Sequence, residues 1–554
     1  RRTPVYISSR SFSRRVKIPV WEVIYVTISL LFPYYLAPMK KWMLLCLPWI
    51  GLVHAQTMEE FSVSVEEVFI DNMPGLQSFA WAQHNGLWLL PGGRTDGLHE
   101  HMPPSAFPES GENNTIYVIS PETNEVWTAE TEGLSSTIRE QLASTNMAYF
   151  QDGDTLLFAG GYGYYTDTAD HATFPYLMVI DVPGLINAVM TGEDISPFIM
   201  QTAHSDMANT GGHMGKLNGR YFLAGGQRFD GRYNPHGGAS FTQTYADRVL
   251  WFTTSVDDVL HVNIAEDWTD AGTFHRRDYN MLPQLSADGD LYYTMFSGVF
   301  RPDIDLPWLD GVHVFPDHYS TLPSMTQLLN QYHTASLPIY AEDPYAMHTL
   351  FFGGIGLYYY EGGNLYIDSL VPFTSNISRM TTTGGDFSEY LMEASMPGWL
   401  GASAEFIPLE TEGWYADGIL QLDQLPYENN HVGYIVGGIE SEFRNIFMLT
   451  GTSWASTKVF RVMLNRTGTM VGTSETAQRD LKIYPNPAEN FVVIEWAAQQ
   501  EASYMLVNSN GDSLQTGQLQ TGRNELPLNT VPAGMYWLRI QNDKGVVVHQ
   551  LVKN

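Results

Sequence analysis

Two short polar runs contain the side chains best suited to bind a ligand. Their candidate residues are Arg228, Asp230, Arg232 and Tyr233 in the first run, and Arg276, Arg277, Asp278 and Asn280 in the second. Guanidinium and carboxylate groups hydrogen-bond the polar groups of a ligand, and an aromatic ring packs against its apolar face. His213 and His333 occupy comparable positions ahead of apolar strands, so they are further candidates for binding or proton transfer.

Each candidate also has a structural interpretation that the sequence leaves open. Arg276, Arg277 and Asp278 could form ion pairs that tie neighbouring elements together, and the two histidines could be hydrogen-bonding loop residues. The sequence contains no Gly-x-Ser-x-Gly elbow, no His-Glu-x-x-His helix and no phosphate loop. We therefore assign no catalytic residue, metal ligand or cofactor.

A repeated pattern must position these residues. An apolar strand ends in a glycine doublet five times along the chain, and a sixth, degenerate copy ends in Ser297-Gly298. The five doublets are Gly92-Gly93, Gly160-Gly161, Gly225-Gly226, Gly353-Gly354 and Gly437-Gly438. Glycine permits positive φ and close backbone approach at a strand end, so the doublets mark one repeated structural unit with loops of variable length.

This pattern resembles the kelch repeat of β-propellers. The first copy continues from its doublet with Ile116 to Ser120, a polar turn, and a strand ending in Trp127, as the second half of a kelch unit does. The resemblance implies an all-β, six-bladed kelch-like β-propeller over residues 61–464. Third strands are expected near Ile116, Tyr176, Arg248, Val312, Ile377 and Val459. The last copy lacks an outer strand, and the alternating segment Phe61 to Val68 is predicted to supply it.

In kelch propellers, the loops after the doublets lie on a face that commonly binds ligands. The resemblance therefore implies that the candidate residues converge at the mouth of a central channel. Sialic-acid mutarotase is a six-bladed kelch protein that works with ordinary side chains, so an enzyme of that kind stays an alternative. Galactose oxidase needs a Tyr–Cys cofactor, and the only cysteine of the chain is Cys46.

The C-terminal 74 residues carry a second resemblance. They begin with Leu481-Lys482-Ile483-Tyr484-Pro485-Asn486-Pro487 and close with a Gly534-Met535-Tyr536 strand and a final Leu551-Val552-Lys553. This resembles the type A C-terminal sorting domain of the Bacteroidetes type IX secretion system. It implies a small β-sandwich over residues 481–554 that engages the secretion machinery. Residues 465–480 are predicted to be a polar linker.

The N-terminal region and the charge agree with export. Residues 39–55 contain two lysines, an apolar run and a Val53-x-Ala55 site, the pattern of a secretory signal peptide. Residues 1–38 are interpreted as upstream reading frame without a structural role. After residue 55 the chain has 21 basic and 59 acidic residues, a net charge of −38, which disfavours nucleic acid as a partner.

These observations predict a protein that is secreted or held at the cell surface of a Gram-negative bacterium, with no transmembrane segment in its mature form. The leading hypothesis for its function is a binding module for glycan or protein. A carbohydrate-active enzyme, of mutarotase or lyase type, and a structural surface-layer protein are the alternatives.

Overall fold

The computed structural model describes residues 16–18, 61–100, 105–234, 241–329, 332–411, 413–414, 418–445, 452–466, 481–496, 502–507, 513–542 and 545–553. These residues form an all-β structure with a few short helices. The chain divides into two compact units, one containing residues 63–464 and the other containing residues 465–554.

Six antiparallel sheets of four main strands each follow one another through the first unit. Sheet 1 consists of Ala82–His84, Leu87–Leu90, Thr115–Ser120 and Glu125–Glu130. Sheet 2 consists of Ala148–Asp152, Thr155–Ala159, Tyr176–Asp181 and Ile199–Ala203. Sheet 3 consists of His213–Leu217, Arg220–Ala224, Arg248–Val256 and Leu260–Thr269. Sheet 4 consists of Asn280–Leu285, Leu291–Phe296, Gly311–Val314 and Tyr319–Leu322. Sheet 5 consists of Ser336–Ala341, Ala346–Phe352, Asn376–Thr383 and Asp386–Ser395.

Sheet 6 is completed by a strand from the other end of the unit. Its strands are Trp399–Pro408, Asn430–Ser441, Val459–Arg466 and Phe61–Val68. The predicted contribution of the N-terminal strand to the last sheet is therefore confirmed. The six expected third strands are also present, since each of the residues named for them lies in the third strand of its sheet.

A closed cycle of six backbone hydrogen bonds joins the lead-in segments of the six sheets. One residue shortly before each first strand, or within it in the case of Ser403, donates its N–H to the carbonyl oxygen of the equivalent residue in the preceding sheet. The donors are Ser78, Asn146, Gly211, Asp278, His333 and Ser403, and the N···O distances are 2.8–3.1 Å. The cycle closes because Ser78 accepts from Asn146 and donates to Ser403, at opposite ends of the unit. We call these six residues the ring residues.

Backbone hydrogen bonds from the five glycine doublets connect their sheets to the lead-in segment of the next sheet. Gly226 N–H donates to the carbonyl oxygen of Arg276 at 2.7 Å, and Gly438 N–H donates to that of Leu76 at 2.8 Å, which links sheet 6 to sheet 1. At Gly225, φ is +52°, and a Cβ atom would lie 2.7 Å from the carbonyl oxygen of Arg276. Only glycine fits this position without displacing the neighbouring backbone.

Apolar side chains pack between neighbouring sheets. Leu89 and Val118 of sheet 1 share a buried cluster with Phe158 and Met178 of sheet 2. Corresponding clusters join sheet 2 to sheet 3, sheet 3 to sheet 4 and sheet 4 to sheet 5. Sheet 6 packs against sheet 1 in the same way, so hydrophobic burial follows the same order as the hydrogen-bond cycle.

Apart from Val16–Ile18, shorter strands and helices lie in the segments that connect the main strands of these sheets. One four-stranded sheet, made of Tyr162–Tyr165, Asp170–Thr173, Gln227–Gly231 and Phe241–Tyr245, joins the loops that follow the doublets of sheets 2 and 3. Further short strands are Val16–Ile18, Tyr358–Glu361, Asn364–Ile367, Leu420–Gln421 and Ser453–Ala455. The helices are the α-helices Ser136–Leu142, Val182–Thr191 and Ala271–Phe274 and the 3-10 helices Glu109–Gly111, Ser196–Phe198, Ser205–Met207 and Leu422–Gln424.

The C-terminal unit contains two antiparallel sheets that share one hydrophobic core. Their strands are Leu481–Tyr484, Phe491–Trp496 and Gly522–Pro527 in one sheet, and Ser513–Leu519, Ala502–Val507, Gly534–Asn542 and Gly545–Lys553 in the other. Asn486, from the Pro485-Asn486-Pro487 motif, accepts a hydrogen bond from the N–H of Val552 at 2.8 Å. This motif thereby holds the final strand in place.

Several predictions concern residues outside this description. They include the signal peptide at residues 39–55 and most of the linker at residues 465–480. Of residues 1–38 only Val16–Ile18 is described, and it pairs with Asn364–Ile367. Among the described residues, no helix is long and apolar enough to cross a membrane.

The close contact at Gly225 gives a first prediction. We expect Gly225→Ala to lower the free energy of unfolding by about 2–5 kcal/mol, because alanine is strained at this φ and its methyl group meets the Arg276 carbonyl. Gly289→Ala is the matched control: its φ is +84°, but nothing lies within 4 Å, so a loss of only about 1–2 kcal/mol is expected. Urea denaturation measures both, and equal losses would contradict the proposed role of the contact.

Candidate functional site

Two cavities lie at the ring residues. The larger, which we call the strand cavity, has a volume of about 550 Å³. Every sheet contributes its first strand to the lining, through Gln83, Tyr149, His213, Asn280, Ser336 and Glu405 among others. The six first strands therefore surround one common space.

The second cavity, which we call the loop cavity, has a volume of about 400 Å³. Part of its lining comes from residues immediately before ring residues: Gln77, Thr145, Thr210, Arg277, Tyr332 and Ala402. The rest comes largely from segments that follow the glycine doublets, including Phe107, Tyr162, Phe229, Tyr233, Phe300, Ile355 and Ile439. This is the set of loops in which the sequence places the binding face.

The ring residues lie between the two cavities. Asn146, Asp278 and His333 line both of them, whereas Gly211 lines the strand cavity alone. Asn146 Nδ2 donates to Asp278 Oδ1 at 2.6 Å, which places an amide and a carboxylate at this boundary. A ligand in either cavity can therefore contact the same three polar side chains.

The polar end of the strand cavity contains two histidines and a buried glutamate. His333 Nε2 lies 3.2 Å from Glu405 Oε1, and Glu405 is only 7% exposed. Burial disfavours the imidazolium, but the Glu405 carboxylate outweighs this effect and raises the pKa of His333 above its ordinary value. Burial lowers the pKa of His213 to about 3, with a further contribution from His333, whose ring centroid is 5.4 Å away.

The loop cavity has an ion pair at its boundary with the strand cavity. The Arg277 guanidinium pairs with Asp278, donates from Nε to the Tyr245 hydroxyl at 3.2 Å, and lies 5.4 Å from the centroid of Phe300. Burial disfavours the charged guanidinium, but Asp278 outweighs it and raises the pKa of Arg277. Arg277 is thus a fixed, permanently charged donor.

Aromatic side chains from three loops form one wall of the loop cavity. His99 stacks on Phe107 with ring centroids 4.5 Å apart, and Phe107 meets Tyr162 edge-on at 5.2 Å. Phe229 and Tyr233 continue the wall, with centroids 5.7 Å apart. The small sheet that joins the loops of sheets 2 and 3 positions these last residues, because Phe229 lies within one of its strands.

The structure divides the sequence-predicted site residues between the cavities. Arg277, Asp278, His333 and Tyr233 line the loop cavity, and His213, Asp278, Asn280 and His333 line the strand cavity. Asn280 also holds the backbone, since its Oδ1 accepts from Thr334 N–H at 2.9 Å.

The remaining predicted residues lie outside both cavities. Arg276 is 1% exposed, and its guanidinium bonds Asp310 Oδ1 at 2.6 Å and the carbonyl oxygen of Ser297 at 2.8 Å. Arg228 forms an ion pair with Asp230 at 2.8 Å, where both side chains are substantially exposed. Arg232 lies 3.5 Å from Glu109, close to the loop cavity but not in its lining.

Sequence reasoning missed Glu405 and Tyr149, which share the polar end of the strand cavity. Burial, together with the Glu405 carboxylate, raises the pKa of Tyr149. A register rule could have found Glu405: it follows its ring residue by two positions, as His213 and Asn280 follow theirs. Among the ring residues only Gly211 belongs to a glycine doublet, so this register became visible only through the hydrogen-bond cycle.

No group of three or more His, Cys, Asp or Glu side chains in the described part of the chain is arranged to hold a metal ion. The side chains of the two cavities that can carry charge or hydrogen-bond a ligand include amides, carboxylates, Lys216, Arg277 and three histidines, His99, His213 and His333.

Comparison with known proteins identifies the C-terminal unit. Residues 482–554 match the family described as the secretion system C-terminal sorting domain. This domain implies secretion through the type IX system and a secreted or cell-surface location, as the sequence predicts.

No curated protein is significantly similar in sequence to this chain. Among solved structures, one described as "Structure of YjhT" aligns with a TM-score of 0.40 and 12% sequence identity, over 71% of this chain and 97% of that chain.

The contrast between two arginines gives a second prediction. Arg276→Met is expected to lower the free energy of unfolding by about 3–5 kcal/mol, because it leaves buried carbonyl groups and Asp310 without their donor. Arg228→Ala removes an exposed ion pair and is expected to cost about 0–1 kcal/mol. Chemical denaturation of the two variants checks this difference, and a small loss for Arg276→Met would contradict it.

Proposed function

We propose that this protein is an exported six-bladed kelch-like β-propeller, followed by a sorting β-sandwich, that binds a saccharide in the loop cavity. Support for the propeller comes from the six successive four-stranded sheets and from the closed hydrogen-bond cycle that links them. In such a fold, the first strands surround the central channel, which agrees with their common lining of the strand cavity.

The observation that carries the saccharide proposal is the composition of the loop cavity. The aromatic side chains of Phe107, Tyr162 and Tyr233 line this cavity, and an aromatic lining suits the C–H face of a sugar ring. The Arg277–Asp278 pair offers donors and acceptors beside them. A cavity with apolar walls and a few fixed polar groups is typical of small-ligand sites.

Neutral hydrogen-bonding groups complete this lining. Gln77, Gln227 and Gln243 all face the loop cavity, and each amide can both donate and accept. Sugar hydroxyls have the same dual capacity, so amides are well matched to them. The volume of about 400 Å³ lies within the range of about 300–1,000 Å³ that small-molecule sites occupy.

A second candidate function is a carbohydrate-active enzyme. The observation that favours it is the pair of histidines in the strand cavity, because His213 and His333 are close together while their environments move their pKa values in opposite directions. Such separation is typical of residues that act as acid and base. Chemical conversion of a bound sugar would support this candidate.

Binding measurements with the full chain test the saccharide proposal. A glycan array selects a ligand, and isothermal titration calorimetry then measures its affinity. Tyr233→Ala is expected to weaken binding about tenfold or more, because it removes one aromatic face of the cavity. Arg277→Gln is expected to weaken it to a similar degree, because Asp278 loses its cation and the ligand loses a charged donor.

Tyr427→Ala serves as the control, since this tyrosine is half exposed and lies outside both cavities. Its affinity should equal that of the unmodified protein. Binding that survives both Tyr233→Ala and Arg277→Gln, or the absence of glycan binding altogether, would contradict the proposal. Nuclear magnetic resonance of the ligand before and after incubation separates binding from turnover.

A further inference from the structure

Glu405 presents an unusual oxygen atom to the strand cavity. The side chain is 7% exposed, and Oε1 is buried without a hydrogen bond. Its nearest cation is His333, whose Nε2 is 3.2 Å away, but the N–H is not aligned for a hydrogen bond to this oxygen. A buried carboxylate oxygen without an aligned donor is costly unless a ligand supplies one.

We propose that the strand cavity binds a small primary ammonium ion, whose N–H groups donate to Glu405 Oε1. This site differs from the saccharide site in the loop cavity, although Asn146, Asp278 and His333 line both cavities, and the inference does not rest on that proposed function.

The charges of the strand cavity favour a cation. Its acidic residues are Asp152, Asp278, Glu405 and Glu410, and its basic residues are Lys216, His213 and His333. Lys216 is paired with Asp152 at 2.5 Å, and His213 is neutral at ordinary pH because burial lowers its pKa to about 3. Asp278 is paired with Arg277, so the acidic charge that attracts a positive ligand comes from Glu410 and from Glu405, which only His333 opposes.

Aromatic rings beside Glu405 suit the organic part of such a ligand. The Glu405 carboxylate lies close enough to Tyr149 to contribute, with burial, to the raised pKa of its hydroxyl, and Tyr149 and Trp81 both line the cavity. Phe406 and Trp414 also line the cavity, with ring centroids 6.4 Å apart. Aromatic faces attract ammonium groups and pack against the attached hydrocarbon.

Solvent can reach the cavity from the side of Asp152 and Lys216. These side chains line the strand cavity and are 33% and 30% exposed. The volume of about 550 Å³ is sufficient for a ligand with a six-membered ring.

His333 competes with the ligand for the same carboxylate. The groups that face its imidazole are Glu405, Asp278 and the neutral His213 ring. Because Glu405 raises the pKa of His333, the imidazolium loses its proton only as the pH rises through that raised value. Loss of the proton leaves Glu405 uncompensated, so affinity for a permanently protonated amine should increase with pH.

Calorimetric titration with a matched pair of probes tests the inference. Cyclohexylammonium and cyclohexanol have similar shapes, and the amine stays protonated between about pH 6 and about pH 8.5. We expect the ammonium ion to bind about tenfold or more tightly than the alcohol at the higher pH, and to bind less tightly at the lower pH.

Glu405→Gln should reduce the affinity for the ammonium ion about tenfold while leaving the alcohol unaffected, because the amide keeps the shape and removes the charge. Glu130→Gln, on the exposed outer strand of sheet 1, is the control and should change nothing. If the unmodified protein binds cyclohexylammonium and cyclohexanol with equal affinity, the inference is overturned, whatever the variants do. Full ammonium binding by a folded Glu405→Gln variant would also overturn it. Tyr233 lines the loop cavity and not the strand cavity, so the effect of Tyr233→Ala on glycan binding tests the saccharide proposal without testing this one.

Discussion

The cycle of six backbone hydrogen bonds is the constraint on which the rest of the first unit depends. Each ring residue donates to its predecessor, and the Ser78–Ser403 bond joins the first sheet to the last. Five of the six residues, all but His333, have positive φ. The chain therefore turns sharply just ahead of the first strand in sheets 1 to 4, and within the first strand, at Ser403, in sheet 6. The same backbone atoms therefore fix the order of the sheets and the direction in which each first strand leaves the cycle.

Both candidate sites follow from this geometry. The strands that leave the cycle surround the strand cavity, and the segments that precede it, with the loops after the doublets, surround the loop cavity. Asn146, Asp278 and His333 take part in the cycle through their backbones and line both cavities through their side chains. A functional site at the cycle gains rigidity, because each ring residue that supplies a polar side chain is fixed by two backbone hydrogen bonds, one donated and one accepted.

Much of the fold could be predicted from the sequence because its signals are local. The doublets mark strand ends where positive φ and close backbone contacts exclude other residues, and the alternation of Phe61 to Val68 indicates an edge strand.

The candidate site was predicted only in part. Arg277 and Asp278 were found because charged residues next to a predicted strand are visible in sequence, whereas Glu405 was missed because its importance depends on register across six sheets. Arg276 and Arg277 are adjacent and chemically identical, yet one is buried in a structural network and the other lines a cavity. Local sequence has no means of separating them, since the difference arises from the direction in which the backbone points each side chain.

Amide hydrogen exchange at the ring residues tests the closed cycle most directly. If the cycle exists in solution, the amides of Ser78 and Ser403 exchange as slowly as those of Asn146, Gly211 and Asp278, because all are released only by a shared opening. Rapid exchange at Ser78 or Ser403, with protection at the other ring residues, would show that the first and last sheets are not joined. That result would contradict the account of the fold and of both cavities.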